Sequence, residues 1–194
     1  MKAWQKHRII AIVGNLRGGK TLTLTKIAHD EWLKGNQIYS NSFLKFNGKH
    51  NDRVTFLDVK KRNRKNEEQE RLKAEYEKLG EGLLAFDEIW QYADSRKSIS
   101  KENELVSEIL LRSGHEGFNV AYTTQRFGQV DKRLREITNF IFQPMMLLDN
   151  RYCVVKVFKL ENGITKELPS FSFNPLRIYP LYNTRERVGD FTSN

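Results

Sequence analysis

The sequence predicts an α/β protein with a mostly parallel central sheet and helices on both of its faces. Two observations support this fold class. Apolar runs alternate with segments of helical spacing through the first two thirds of the 194 residues, the pattern of strands joined by crossover helices. A glycine-rich segment at residues 14–21 also separates the apolar run 9–13 from a helical pattern, as expected for a turn between a buried strand and a helix.

The individual elements follow from these patterns in chain order. We predict strands at residues 8–14, 37–41, 53–58, 82–87, 118–124 and 138–143, and helices at 20–34, 60–79, 101–113 and 130–137. The segment 60–79 mixes basic and acidic residues with few apolar ones, which favours a solvated helix over a nucleic-acid-binding arm. After residue 151, an apolar strand and the turn signal at 161–163 predict a C-terminal β-hairpin, followed by a tail packed on the sheet.

The length of the chain suits one domain. We describe it as a core at residues 1–150 and a hairpin and tail at 151–194 that pack on the same domain. The formal net charge of +9 and the pI of about 9.6 favour a polyanionic partner such as nucleic acid. The single cysteine, Cys153, favours a reducing, intracellular setting, and we expect no membrane span because no apolar run approaches about 20 residues.

Residues 14–21 fit the phosphate-binding pattern G-x-x-x-x-G-K-[ST] at every position. The backbone N–H groups of such a turn and the N-terminus of the following helix attract phosphate. We expect Lys20 to contact the β- and γ-phosphates of ATP, and the Thr21 hydroxyl to ligate Mg²⁺. The predicted nucleotide-binding residues are Gly14, Asn15, Leu16, Arg17, Gly18, Gly19, Lys20, Thr21 and Leu22.

Two acidic residues follow the apolar strand at 82–86. Asp87 is predicted to ligate Mg²⁺ with Thr21, and Glu88 to act as the base that polarises the attacking water. Gln125 follows the strand at 118–124. If that strand lies between the other two, Gln125 would orient the γ-phosphate and the water.

ATP hydrolysis in rings often uses an arginine from the neighbouring subunit to stabilise the transition state. We predict that Arg112 has this role, with Arg126, Arg133 and Arg135 as alternatives. An arginine in the last turn of a helix also interacts favourably with the helix dipole alone, so a purely structural role for Arg112 stays open.

Several of these segments resemble the FtsK–HerA family of DNA-pumping ATPases. They are the glycine-rich turn, Phe86-Asp87-Glu88, and Thr124-Gln125-Arg126 followed by Val130-Asp131. The segments 38–41, 94–96, 131–138 and 179–184 are similar to its small viral branch. This branch contains genome-packaging ATPases of membrane-containing and archaeal viruses, with zonula-occludens-toxin-like phage assembly ATPases as relatives.

The resemblance implies a RecA-like P-loop NTPase core in a ring of five or six subunits. ATP hydrolysis in that ring would move double-stranded DNA, gripped through its phosphates by the 94–101 and 126–135 loops. It also implies capsid or portal proteins as partners, and a location in the cytoplasm of an infected host cell or at the virion vertex. Related proteins often carry Arg-Lys or Arg-His before the Gln125 strand, whereas here Arg112 is followed by Ser113 and Gly114.

Viral genome packaging is therefore the leading hypothesis from the sequence. Assembly or extrusion of filamentous phage is the alternative within the family. A small P-loop kinase would be an enzyme of a different class, and an ATP-binding adaptor would bind the nucleotide with negligible turnover.

Overall fold

A computed structural model describes residues 8–46, 51–57, 79–91, 118–161 and 163–182. Its eight strands are β1 (Ile9–Val13), β2 (Gln37–Ser40), β3 (Val54–Phe56), β4 (Gly82–Phe86), β5 (Asn119–Thr124), β6 (Phe140–Leu147), β7 (Tyr152–Glu161) and β8 (Ile164–Phe173). The described residues also contain two α-helices, α1 (Lys20–Leu33) and α2 (Lys132–Ile137). The predicted helix at 101–113 and residues 60–78 of the helix predicted at 60–79 lie outside the described residues.

All eight strands belong to one sheet in the order β3-β2-β4-β5-β1-β6-β7-β8. The first six strands in this order are parallel, and β7 and β8 add an antiparallel hairpin at one side. The predicted mostly parallel sheet with a C-terminal hairpin is therefore confirmed. Because parallel strands point the same way, the carboxyl ends of β1, β4 and β5 share one edge of the sheet.

Helices pack on both faces of the sheet, as predicted. Successive side chains of a strand point to opposite faces, so β1 contributes to two apolar clusters. Ile10 and Ile12 pack in the cluster that contains α1, whereas Ile9 and Ala11 pack in the cluster that contains Leu134 of α2. α1 buries the apolar side chains Leu24, Ala28 and Trp32, which are spaced four residues apart along one side of the helix.

Strand β6 continues four residues past its predicted end at residue 143. The residue that follows the predicted end is Pro144, and proline lacks the N–H that a ladder needs. In the structure β6 pairs with β1 only over Phe140–Phe142, and from there to Leu147 only its pairing with β7 continues. Pro144 lies in this second part, opposite Val155, so one side of β6 no longer has a parallel neighbour to bond.

Helix α2 begins at Lys132, two residues later than predicted. Asp131 occupies the N-cap position, and its carboxylate accepts a hydrogen bond from the Arg133 N–H at 2.9 Å. The β7–β8 connection turns at Gly163, where φ of +76° is a conformation that glycine adopts without strain.

The segment after β8 packs back onto the α1 face of the sheet. Ile178 and Leu181 are buried in the cluster that contains α1. The Lys45 N–H donates to the Leu181 carbonyl at 2.8 Å, and Leu44 forms an isolated antiparallel bridge with Tyr182. The predicted packing of the tail is thus present as far as residue 182. Neither of the described α-helices has the length and apolar character needed to cross a bilayer.

Candidate active site

The glycine-rich turn joins the end of β1 to the start of α1. Gly14 donates its N–H to the Thr124 carbonyl at 3.4 Å, which links the turn to the end of β5. Within the turn, the Gly18 N–H bonds to the Asn15 carbonyl at 3.1 Å. α1 then begins at Lys20, so the turn ends where the first N–H groups of a helix lack partners within the helix and attract anions.

The shape of the turn requires glycine at two positions. Gly19 has φ of +90°, and a Cβ atom there would lie 3.1 Å from Met146 Sδ and 3.3 Å from Cys153 Sγ. A Cβ on Gly18 would lie 3.0 Å from the Asn15 carbonyl oxygen. Since Met146 is in β6 and Cys153 in β7, the antiparallel part of the sheet directly supports the turn.

Lys20 is 5 % exposed, and its Nζ donates to the Asn15 carbonyl at 3.0 Å. The ammonium group therefore lies over the backbone of the turn, in the position from which a lysine contacts bound phosphate. Leu16 and Arg17 are exposed at the tip of the turn. The side chain of Leu22 is buried in the core, so only its backbone N–H is available to a nucleotide.

Asp87 follows β4 and is 6 % exposed. The Thr21 hydroxyl donates to its carboxylate, at 2.9 Å from Oδ2 and 3.2 Å from Oδ1, and the Thr123 hydroxyl lies 2.6 Å from Oδ1. Burial raises the pKa of Asp87, and the hydrogen bonds from Thr123 and Thr21 oppose this effect. The hydroxyl of Thr21 and the carboxylate of Asp87 thus meet beside the turn as the hard oxygen ligands that Mg²⁺ prefers.

Glu88 adopts φ of +52°, a left-handed conformation that is uncommon for a residue with a side chain. Two contacts hold it there. Its N–H donates to the Thr123 hydroxyl at 2.7 Å, and Trp90 Nε1 donates to its carboxylate oxygen Oε2. Strained backbone of this kind persists only where the surroundings determine it, and it is concentrated at functional sites.

Gln125 lies at the same edge of the sheet. Strand β5 is hydrogen-bonded to β1 on one side and β4 on the other, which confirms the strand order on which the prediction for Gln125 depended. The Gln125 side chain is exposed, and Thr124 Oγ1 donates to the Arg126 carbonyl at 3.2 Å in the turn around it.

The structure describes three of the four arginines that were candidates for the trans-acting role. Arg112 lies outside the described residues, so its role as a trans-acting arginine stays a prediction. Arg133 is paired with Asp131, and Arg135 Nε donates to the Val130 carbonyl at 3.0 Å, which engages both residues locally around α2. Arg126 is exposed on the segment that follows β5.

A family model described as zonular occludens toxin (Zot) matches residues 9–165. The chain belongs to the Zot family. The matched region runs from the first residue of β1 to the start of β8, and it includes the glycine-rich turn, Asp87, Glu88 and Gln125. Zonula-occludens-toxin-like ATPases were predicted as relatives of the packaging branch that the sequence resembles. The match shows that the protein is a P-loop ATPase of the Zot family, and its placement in the packaging branch stays a prediction. No curated protein sequence matches the chain.

Solved structures support the same fold. The N-terminal domain of zonular occludens toxin from Neisseria meningitidis is similar with a TM-score of 0.55 at 18% identity, over 92% of this chain and 100% of that one. The genome packaging NTPase B204 from Sulfolobus turreted icosahedral virus 2, solved with ATP-gammaS, gives 0.57 at 12% identity, over 82% and 96%. The flagellar accessory protein FlaH from Methanocaldococcus jannaschii gives 0.56 at 12% identity, over 88% and 86%. At these identities the likeness shows the RecA-like P-loop fold alone.

The residues of the Zot-family site fit ATP and Mg²⁺. The turn offers backbone N–H groups and the Lys20 ammonium to phosphate, and Thr21 and Asp87 offer two oxygen ligands to the cation. Two further residues contact Asp87 to which no role was assigned from the sequence, namely Asn41, the last residue of the 38–41 segment, and Thr123. Thr123 lies in the strand predicted at 118–124, two positions before Gln125, to which a role was assigned. Nothing in the sequence indicates that the Thr123 hydroxyl faces Asp87.

Proposed function

We propose that this protein hydrolyses ATP and couples the hydrolysis to the movement of viral DNA during particle assembly. The observation that carries the proposal is the convergence of the Lys20 turn, the Thr21–Asp87 contact at 2.9 Å and Glu88 at one edge of the sheet. A phosphate site alone would suit a binding protein. A carboxylate beside the predicted cation ligands adds the group that water activation needs.

The residues have separate roles in this proposal. Lys20 and the N–H groups of the turn bind the β- and γ-phosphates, and Thr21 and Asp87 hold Mg²⁺, which supplies positive charge to the phosphate oxygens when bound. Glu88 accepts a proton from the attacking water, and Gln125 orients that water. Arg112 from a neighbouring subunit of a ring of five or six would stabilise the transition state.

DNA is the proposed partner because the chain carries a formal net charge of +9 and because membership of the Zot family supports a role in phage assembly. One version of this function is genome packaging, with capsid or portal partners in an infected cell or at a virion vertex. The similarity to the genome packaging NTPase B204 favours that version. The other version is assembly or extrusion of phage, which family membership favours.

The test is steady-state ATP hydrolysis with double-stranded DNA, with single-stranded DNA and without DNA, at about 50 and 200 mM salt. We expect DNA to stimulate turnover and the stimulation to fall as salt rises, because phosphate contacts release counterions. Preference for double-stranded DNA would favour packaging, and preference for single-stranded DNA would favour assembly of a phage with a single-stranded genome. Turnover that is indifferent to both would contradict DNA movement.

Three variants make the test specific to the site. Lys20→Ala should abolish turnover, whereas Lys26→Ala, on the same helix but ion-paired with Asp30, should turn over ATP normally. Glu88→Gln should bind ATP and hydrolyse it poorly. Normal turnover in Glu88→Gln would remove Glu88 from the mechanism.

A further inference from the structure

Asn41 and Thr123 both contact the Asp87–Glu88 pair, and neither belongs to the nucleotide-binding motifs. We infer that they are positioning residues that hold this pair in its catalytic geometry, a role that presupposes the proposed ATP hydrolysis. They approach the pair from opposite sides, because Asn41 follows β2 and Thr123 is in β5, the two neighbours of β4.

Asn41 binds the backbone of Asp87 twice. Its Nδ2 donates to the Asp87 carbonyl at 2.9 Å, and the Asp87 N–H donates to its Oδ1 at 2.7 Å. Asn41 is 7 % exposed, so water does not readily replace its side chain. Its own N–H continues the β2–β4 ladder to the Ala85 carbonyl at 3.4 Å. Asn41 therefore extends the pairing of β4 by one residue and fixes the direction in which Asp87 leaves the strand.

Thr123 uses one hydroxyl group to connect both acidic residues. The oxygen accepts the Glu88 N–H at 2.7 Å and donates its proton to Asp87 Oδ1 at 2.6 Å. The Asp87 carboxylate is thus held between Thr123 and Thr21, with Oδ2 facing the Thr21 hydroxyl. The same contact keeps the Glu88 backbone at φ of +52°, which sets where its carboxylate begins.

Packing alone does not account for these contacts. Thr123 is completely buried near the end of β5, and valine has nearly its shape. Replacing it with valine would keep the packing, leave the Glu88 N–H without its acceptor and let the Asp87 carboxylate rotate. Residues that orient a metal ligand in this way typically change metal affinity or activity about 10–100-fold when they are removed.

The decisive variants are Thr123→Val and Asn41→Leu, with Thr123→Ser as the conservative rescue. We expect kcat for ATP hydrolysis to fall about 10–100-fold in the first two, with the Mg²⁺ concentration for half-maximal rate raised about as much. The KM for ATP should change less than about threefold, because the phosphate-binding turn is untouched. Thr123→Ser should recover most of the lost rate, since it restores the hydroxyl.

Thr138→Val is the matched control. Thr138 is also a buried threonine with two hydrogen bonds, to the Leu134 carbonyl at 2.7 Å and the Tyr122 hydroxyl at 2.8 Å. It precedes β6 and therefore lies at the sheet edge opposite the site. The kcat of the Thr138→Val protein should stay within about twofold of the wild-type value. A Thr123→Val protein with wild-type kcat and Mg²⁺ dependence would overturn the inference.

A binding measurement separates this inference from the proposed function. Mn²⁺ binding by electron paramagnetic resonance, with a non-hydrolysable ATP analogue, needs no turnover. If the wild-type protein hydrolyses no ATP, the proposed function fails. In that case weaker Mn²⁺ binding in Thr123→Val, rescued in Thr123→Ser, would still support the positioning role, and unchanged Mn²⁺ binding in Thr123→Val would overturn it.

Discussion

Alanine substitution at three glycines should give three different changes in stability, because the structure places them in three different environments. Gly19 has φ of +90°, and a Cβ there would meet two sulfur atoms at 3.1 and 3.3 Å. Gly163 has φ of +76°, but a Cβ would have no neighbour within 4 Å. Gly128 has neither a positive φ nor a neighbour within 4 Å of a Cβ.

The expected magnitudes follow from these differences. The left-handed conformation costs a residue with a side chain about 1–2 kcal/mol, which applies to Gly19→Ala and Gly163→Ala. Crowding of a packed core adds about 1–3 kcal/mol at Gly19 alone. These costs lower the free energy of unfolding by about 2–5 kcal/mol in Gly19→Ala and about 1–2 kcal/mol in Gly163→Ala, before the gain of about 0.4–1 kcal/mol from a stiffer unfolded chain; Gly128→Ala should show that gain alone.

Urea denaturation followed by circular dichroism measures these differences. Because all three variants share the gain from a stiffer unfolded chain, this gain cancels when their free energies of unfolding are compared. Equal losses in Gly19→Ala and Gly163→Ala would show that the sulfur contacts yield without cost. No loss in either would refute the assigned backbone conformations. Gly19→Ala should also weaken ATP binding, since the turn must shift to make room, whereas Gly163→Ala should leave ATP binding unchanged.

Two further predictions concern buried carboxylates. Burial raises the folded-state pKa of Asp87 above its ordinary 3.8, so the folded state loses stability as the pH rises through the unfolded and then the folded pKa. Without nucleotide or Mg²⁺, Asp87→Asn should therefore unfold at higher urea than the wild type at about pH 7, with a gain that shrinks towards pH 3.8; a loss at neutral pH would contradict this. The pKa shift of Asp131 has the opposite sign, because its hydrogen bond to Arg133 lowers the pKa. The contribution of Asp131 to the free energy of unfolding is therefore present above about pH 3.8 and is lost in acid. Asp131→Ala should cost about 0.5–2 kcal/mol at neutral pH as a lost N-cap, measured by the same denaturation, and an equal cost at all pH values would exclude the charged cap.

The individual strands and the phosphate-binding turn could be predicted because their signals are local in the sequence. The residues that form the phosphate-binding turn, 14–21, are consecutive in the sequence, and each strand is a short apolar run. The position of β5 between β1 and β4 was a condition of the prediction for Gln125, and it is confirmed. The roles of Gln125 and Arg112 stay predictions, the second because Arg112 lies outside the described residues.

The contacts around Asp87 could not be predicted from the sequence. Asn41 and Asp87 are 46 positions apart, and Thr123 and Asp87 are 36 apart, so neither spacing has a local meaning. Only the neighbouring positions of β2, β4 and β5 in the sheet bring them together. The extension of β6 past Pro144 also depends on tertiary structure, because a proline fits in a strand only where the strand has lost the neighbour that its N–H would bond.

The central position of β1 has a consequence for how the chain reaches its folded state. β1 is near the start of the sequence, yet Ile9 pairs with Val120 and Ile10 with Phe140. Its apolar side chains therefore have no strand partner until residues more than 100 positions later have been synthesised. Such long-range parallel pairing folds slowly and leaves an aggregation-prone strand exposed in the meantime. We expect the phosphate-binding turn to be among the last parts of the described sheet to acquire its final shape, since it also rests on Met146 and Cys153.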